Sequence, residues 1–310
     1  DMKSDEHINN ILNLSEKLNA PIFADPLSNI RFNVKHPNIL SHYDYYINRL
    51  NEIPDCIIRF GKKSTTSKKI NMLIKNCKNV ILLSNNYGYN DDCKIVQPLD
   101  FNLIECNENI DKNWLNTILN LEKNIYTTLE KYLDSDSLFE GSIIHSILSS
   151  MSNNDNLFIG NSLPIRNLEK FCSHNKKISV YSNRGASGID GITSSALGMA
   201  TIKKNNNNVL IVGDISFIHD SNGLLISQRN NINLTIVIIN NNGGQIFSTL
   251  PYAEDDKNFQ EYWITPQEIK IKDIASLYNL KYFEIDSIEQ LLGEFKSILD
   301  FKAPKSNVKL

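Results

Sequence analysis

Short apolar runs alternate along this chain with stretches in which apolar residues return every three or four positions. The first pattern predicts buried strands and the second predicts amphipathic helices. In the first part, "EHINNILNLSEKL" predicts a helix at the very start and "PIFAD" (21–25) a short strand. "NILSHYDYYINRL" (38–50) predicts a helix, "DCIIRF" (55–60) a strand, "TTSKKINMLIKN" (65–76) a helix and "NVILLS" (79–84) a strand. A long helical pattern over 111–133 then acts as a connector.

A second alternating unit follows. "NLFIGN" (156–161) predicts a strand, and "PIRNLEKFCSH" a helix with Pro164 in its first turn. Next come "ISVYSN" as a strand, "GITSSALGMATI" as a helix, "NVLIVGD" as a strand, "SNGLLISQRN" as a helix and "LTIVIIN" as a strand. "KDIASLYNL" (helix), "KYFEI" (strand) and "SIEQLLGEFKSILD" (helix) complete the unit. Strands alternating with helices at this spacing predict an α/β fold of two doubly wound parallel-sheet domains. The expected division is 1–135, a central domain ending in a linker helix, and 136–310, a second α/β domain. Both ends read as cut: residue 1 is Asp and "SNVKL" reads as a strand interrupted just after it starts.

Composition narrows the classes. The hydrophobic fraction of 41% is ordinary for a globular chain with a sizeable core. The net charge of -3, with Lys and Arg spread along the chain, predicts no nucleic-acid or membrane-surface partner. No apolar run reaches the ~20 residues of a membrane helix, and no signal-peptide pattern opens the chain. Cys56, Cys77, Cys93, Cys106 and Cys172 are odd in number and lack CxxC spacing, which reads as reduced thiols in an intracellular protein without a zinc site. The many Asn, Lys and Ile residues suggest an A+T-rich genome, so Asn clusters alone carry little weight.

The polar material collects where strands end. "GNSLPIR", "NRGASGIDG", "GDISFIHD" and "NNNGGQIF" each follow one of four consecutive strands of the second unit. Ligands of doubly wound sheets sit at the carboxyl ends of the strands. Strand-to-helix turns favour Gly, Asn, Asp and Ser on their own account, but four such turns in succession point to a ligand. Adjacent parallel strands could bring Asp214 and Asn240–Gly243 to one ligand. A carboxylate, an amide oxygen and a backbone carbonyl are hard donors of the kind Mg2+ prefers, with the shell completed by water and phosphate oxygens. Glycines let backbone approach phosphates, and amides at a helix start favour anions.

"GDI", then 24 residues, then Asn240-Asn241 resembles the diphosphate signature of thiamine diphosphate enzymes. Ile215 stands where many members carry Gly. "GNSLPIR", "VYSNRGASGIDG", "GDISFIHDSNGLL" and "VIINNNGGQIFSTLP", in that order, resemble the 2-succinyl-5-enolpyruvyl-6-hydroxy-3-cyclohexene-1-carboxylate synthase family of menaquinone and phylloquinone biosynthesis. The likeness is dense over 156–265 and looser over 1–135.

The resemblance implies three α/β domains, of which the first, pyrimidine-binding domain with its activating glutamate is expected to precede this chain, so that no catalytic residue is assignable here. It implies thiamine diphosphate with Mg2+ (or Mn2+) as cofactors, with isochorismate and 2-oxoglutarate as substrates. The reaction would be decarboxylation of 2-oxoglutarate followed by 1,4-addition to isochorismate. A homodimer or homotetramer, in a bacterial cytoplasm or a plastid stroma, would carry the site between subunits.

By position, Asp214, Asn241 and the carbonyl of Gly243 would hold the metal. Gly213, Ile215, Ile246 and Phe247 would line the cofactor, and Ile189 would wedge beneath it, a β-branched side chain being stiff at χ1. Ser162, Arg166 and Arg184 would bind substrate carboxylates, since guanidinium matches carboxylate geometry. Phe247 and Leu250 would form an apolar wall. Lys68 or Lys69 could reach a carboxylate from the central domain. His219 is expected at the start of the helix after Asp214, in a supporting rather than a catalytic role. Two other readings stay open: a non-catalytic cofactor-binding or assembly fragment, and another thiamine diphosphate-dependent 2-oxoacid decarboxylase. No GxGxxG follows a strand, which disfavours a plain dinucleotide-binding fold.

Overall fold

The computed structural model describes residues 5–28, 30–50, 52–64, 66–85, 93, 95–101, 104, 112–133, 138–173, 176–227, 232–251, 253, 258–301 and 307–309. The chain divides into two compact units, Asp1–Asp134 and Ser135–Leu310. Residues 134–137, where the expected boundary falls, lie outside the described residues.

The first unit opens with α1 (Asp5–Lys17), whose Ile8, Ile11 and Leu14 are buried. Two short strands, β1 (Ile22–Phe23) and β2 (Ile39–Leu40), pair in parallel. A separate three-stranded parallel sheet has the order β3 (Cys56–Phe60), β4 (Asn79–Leu83), β5 (Ile95–Gln97). Helix α2 (Lys68–Asn76) connects β3 to β4. It starts at Ser67 because the Ser67 hydroxyl accepts the Ile70 N–H at 3.1 Å, satisfying a first-turn donor. Helix α3 (Lys112–Leu133) closes the unit.

The helix expected over 38–50 does not form. After β2 the chain makes two single 3-10 turns, Tyr43–Tyr45 and Ile47–Arg49. The competitor is the pairing with β1: the Asn38 and Leu40 carbonyls, which a helix would offer to residues 42 and 44, accept the Ile22 (2.7 Å) and Ala24 (3.2 Å) N–H groups instead. The turn that follows is held by Glu122 on α3. Its Oε1 accepts the backbone N–H groups of Ser41 (2.7 Å) and His42 (2.9 Å) and lies 3.0 Å from His42 Nδ1. Tyr46 donates its hydroxyl to Oε2 at 2.9 Å. Burial alone would push the Glu122 carboxyl up, but these donors outweigh it and hold it below the usual range.

The second unit contains a five-stranded parallel sheet. In chain order its elements are α4 (Glu140–Ser150), β6 (Asn156–Ile159), α5 (Leu163–Phe171), β7 (Ser179–Tyr181), α6 (Ile192–Ile202), β8 (Asn208–Gly213), α7 (Asp214–His219), β9 (Asn233–Ile239), α8 (Ile271–Leu277), α9 (Ile288–Asp300) and β10 (Asn307–Lys309). The sheet order is β10-β9-β8-β6-β7. All four residues of β6 and the first five of β8 are buried, as in a parallel sheet covered on both faces. One core gathers Phe158, Leu197, Leu210, Val212, Phe217, Leu224, Leu234 and Ile236. Each such side chain contributes roughly 1.5–3 kcal/mol on burial.

The amino ends of the central strands are tied by asparagines. Asn156 Nδ2 donates to Asn208 Oδ1 (3.1 Å), and Asn208 Nδ2 donates to the Asn233 carbonyl (3.0 Å).

Two expectations fail in this unit. The stretch expected as one helix over 221–230 is a 3-10 helix, Ser221–Ile226, preceded by the separate short α7; residues 228–230 lie outside the described residues. The strand expected over 281–285 is reduced to a bridge at Lys281. The open side of β9 is occupied instead by β10, which pairs Asn307, Val308 and Lys309 with Asn233, Leu234 and Thr235.

Candidate functional site

Strand β6 lies between β7 and β8, so the chain goes outward to β7 and returns on the other side of β6. Such a reversal opens a crevice at the carboxyl ends of the strands. The loops after β6, β7, β8 and β9 all emerge at that edge, and the second unit's expected site residues lie in them.

Asp214 is the first residue of α7, directly after β8, and is only 5% exposed. Its Oδ2 accepts the Gly243 N–H at 2.8 Å, so the ends of β8 and β9 are joined. Burial pushes the Asp214 carboxyl above its usual range, opposed by backbone N–H donors including Ile215 and Gly243.

The turn after β9 is bent sharply, with φ of 61° at Asn242 and 124° at Gly243. A Cβ on Gly243 would stand 2.3 Å from the Ile264 carbonyl oxygen. That oxygen accepts the Gly244 N–H at 2.7 Å. It belongs to a single π-helical turn, Gln260–Ile264, a feature frequent at functional sites.

Asn241 is the most informative residue. Its Nδ2 donates to Glu140 Oε1 at 2.6 Å, while its Oδ1 is buried with no hydrogen-bond partner among the described residues. A buried amide oxygen left unpaired costs about 1–3 kcal/mol, so it calls for a ligand. Among the described residues no three His, Cys, Asp or Glu side chains gather as metal ligands. The donors present are one carboxylate (Asp214), one orphaned amide oxygen (Asn241) and a backbone carbonyl (Gly243), which suits a hard cation such as Mg2+.

The loop after β6 is strained: Ser162 has φ 69° and ψ -130°, a region a side chain rarely adopts. Its carbonyl accepts Nη1 of Arg166 at 2.6 Å, and Arg166 forms no ion pair among the described residues. Arg184, after β7, donates Nη1 to Asn161 Oδ1 at 2.9 Å, and Asn161 Nδ2 donates to the Gly188 carbonyl at 2.8 Å. Buried Asn161 therefore fixes Arg184 and the loop after β7 together.

The apolar candidates differ in burial. Ile189 is 40% exposed and so is no core residue; Phe247 is 37% exposed and meets Trp263 edge-on at 5.5 Å. Ile246 and Phe247 lie in the 3-10 turn Gln245–Thr249, which ends at Leu250. Gly213 and Ile215 flank Asp214.

His219 ends α7 rather than beginning a helix, and it is exposed. In the first unit, Lys69 donates to the Asp44 carbonyl at 2.5 Å, whereas Lys68 is exposed at the start of α2. Cys56 and Cys77 are free thiols; Cys106 lies outside the described residues. Among the described residues no helix is long and apolar enough to cross a membrane.

Sequence reasoning missed Glu140 and Asn161. Asn161 sits inside the quoted "GNSLPIR", so proximity to a motif could have found it. Glu140 carries no local signal, because it meets Asn241 across 101 residues.

Comparison with known proteins bears on this geometry. The family described as "Thiamine pyrophosphate enzyme, C-terminal TPP binding domain" matches residues 166–306. The 2-succinyl-5-enolpyruvyl-6-hydroxy-3-cyclohexene-1-carboxylate synthase of Staphylococcus haemolyticus is 35% identical over 301 residues, 93% of this chain and 52% of that protein. Its counterpart in Staphylococcus aureus is 36% identical over 316 residues, 97% of this chain and 55% of that protein. The chain is similar to this synthase family over nearly all of its own length. The Desulfitobacterium hafniense synthase is 33% identical over 314 residues, 97% of this chain and 56% of that protein. The chain thus spans about half the length of the curated synthases it matches. Their matched stretches extend through both units, whereas the cofactor-domain match lies wholly within the second.

Proposed function

We propose that this chain is part of an enzyme that decarboxylates 2-oxoglutarate and joins the four-carbon unit to isochorismate by 1,4-addition. The observation that carries the reading is the bond from the Gly243 N–H to Asp214 Oδ2 where β8 and β9 end, with the orphaned Asn241 Oδ1 two residues before Gly243 in the same turn. In this reading Asp214, Asn241 through Oδ1 and Gly243 through its carbonyl hold Mg2+, for which Mn2+ can substitute. Bound beside it, thiamine diphosphate supplies the electron sink for loss of carbon dioxide from a 2-oxo acid.

The chain's own residues bind, orient and exclude water. The backbone at Gly213 and Ile215 borders the diphosphate. Ile189, Ile246, Phe247 and Leu250 give the reacting centre an apolar wall, which strengthens electrostatic contacts by keeping water out. Arg166 and Arg184, each anchored through Nη1, present planar donor sets to the substrates' carboxylates, with Ser162 beside them. The working assembly is a homodimer or homotetramer.

The test is 2-oxoglutarate-dependent consumption of isochorismate by the protein its full reading frame encodes. Arg184→Ala should lower kcat/KM at least about tenfold, since a hydrogen bond to a charged group is worth about 1.5–3 kcal/mol. Turnover of pyruvate instead of 2-oxoglutarate, or an unchanged Arg184→Ala, would contradict the assignment.

A further inference from the structure

The cation reading leaves a question about Asn241. An amide can present either end, and only the oxygen can ligate a metal. Glu140, the first residue of α4, decides which end faces outward. Its Oε1 accepts from Asn241 Nδ2 at 2.6 Å, and its Oε2 accepts from Asn167 Nδ2 at 2.8 Å. A carboxylate only accepts, so the amide facing it must present its nitrogen. Asn241 Oδ1 is thereby turned away from Glu140, into the buried position where it has no partner among the described residues.

The carboxylate is itself held. Asn167 lies on α5 and fixes the second oxygen. The start of α4 is fixed by Ser142, whose hydroxyl oxygen accepts the Phe139 N–H (3.1 Å) while donating to the Phe139 carbonyl (2.8 Å). Phe139 and Phe171 pack edge-on at 5.4 Å over Gly141, where a Cβ would stand 2.4 Å from one ring and 2.5 Å from the other. Helices α4 and α5 thus carry Glu140 to a residue 101 positions away in sequence.

We infer that Glu140 is a positioning residue for the metal: it locks the Asn241 amide with Oδ1 toward the cation. The inference rests on the cation reading of the site. No proton or bond is exchanged; the carboxylate acts by removing the alternative amide orientation. Partners of metal ligands of this kind typically set affinity by about 10- to 100-fold.

The experiment is a double-mutant cycle on the protein its full reading frame encodes. Mn2+ binding is followed by electron paramagnetic resonance in the presence of thiamine diphosphate. Glu140→Ala should weaken Mn2+ binding about 10- to 100-fold. In an Asn241→Ala background the same change should have no further effect, because there is no amide left to orient. A merely structural role would instead weaken binding equally in both backgrounds, and that result overturns the inference. Glu140→Gln keeps the size and one acceptor; it should fold as the unaltered protein does and lose less affinity than Glu140→Ala. Unchanged affinity in either folded variant also overturns the inference while leaving the cation reading intact. Absence of Mn2+ binding by the unaltered protein would overturn the cation reading, and this inference with it.

Discussion

Replacing Gly243 by alanine should destabilise the second unit by about 2–5 kcal/mol. Two costs add. An L-residue forced to positive φ, here 124°, costs roughly 1–2 kcal/mol. The new Cβ would also stand 2.3 Å from the Ile264 carbonyl oxygen and 2.9 Å from its Cγ2, and such overpacking costs about 1–3 kcal/mol. The backbone oxygen cannot rotate away as a side chain could. Two other glycines separate the costs. Gly191 has φ 66° but open space around its Cβ position, so Gly191→Ala should cost only the backbone share, about 1–2 kcal/mol. Gly213 has an extended backbone (φ -77°, ψ 159°) and open space, so Gly213→Ala should stay within about 0.5 kcal/mol of neutral or stabilise slightly. Urea unfolding followed by tryptophan fluorescence measures all three. In a Trp114→Phe background Trp263 is the only tryptophan of these 310 residues, so their signal reports on the second unit. A Gly243→Ala cost no larger than that of Gly191→Ala would refute the close-approach argument.

The first unit should show an acid-sensitive stability set by Glu122. Its folded carboxyl is held below its ordinary value of 4.5, so the ionised form is favoured by folding. That stabilisation is present above pH 4.5 and drains away as pH falls through the depressed folded value; Glu122→Gln should flatten this part of the pH profile in thermal melts. Asn208→Ala should cost the second unit about 1–3 kcal/mol, because it strands the buried Asn156 amide. Chemical denaturation checks this, and a change within 0.5 kcal/mol, the scatter of ordinary surface substitutions, would contradict the ladder's role.

Strands β8 and β9 are legible in the sequence because both are apolar runs bounded by polar turns. The chemistry at their ends is legible for the same reason: loops after parallel strands emerge at one edge, so Asp214 and Gly243 had to be neighbours if β8 and β9 paired. What could not be read depends on distant partners. Residues 38–50 have helix-like apolar spacing, but the Asn38 and Leu40 carbonyls pair with Ile22 and Ala24 of the β1 segment, and Glu122, about 80 positions on, holds the turn that follows. The apolar residues of 281–285 suggest a strand, yet β10 occupies the side of β9 that was open. The asparagines at 156 and 208 look like compositional noise in an Asn-rich chain, and only the parallel pairing makes them a buried ladder. Helix α4 is obscured because Ser142, Ser146, Ile144, Ile147 and Leu148 are all buried, which blurs the amphipathic stripe. Glu140, in its first turn, carries no local signal; its bond to Asn241 appears only in three dimensions.

The most direct test of the central claim is titration calorimetry of thiamine diphosphate into the full-frame protein, with and without Mg2+, beside Asp214→Ala. The account predicts binding that needs Mg2+ and is lost in Asp214→Ala. Binding that ignores the metal, or that survives the loss of the Asp214 carboxylate, would contradict the assignment of the site where β8 and β9 end.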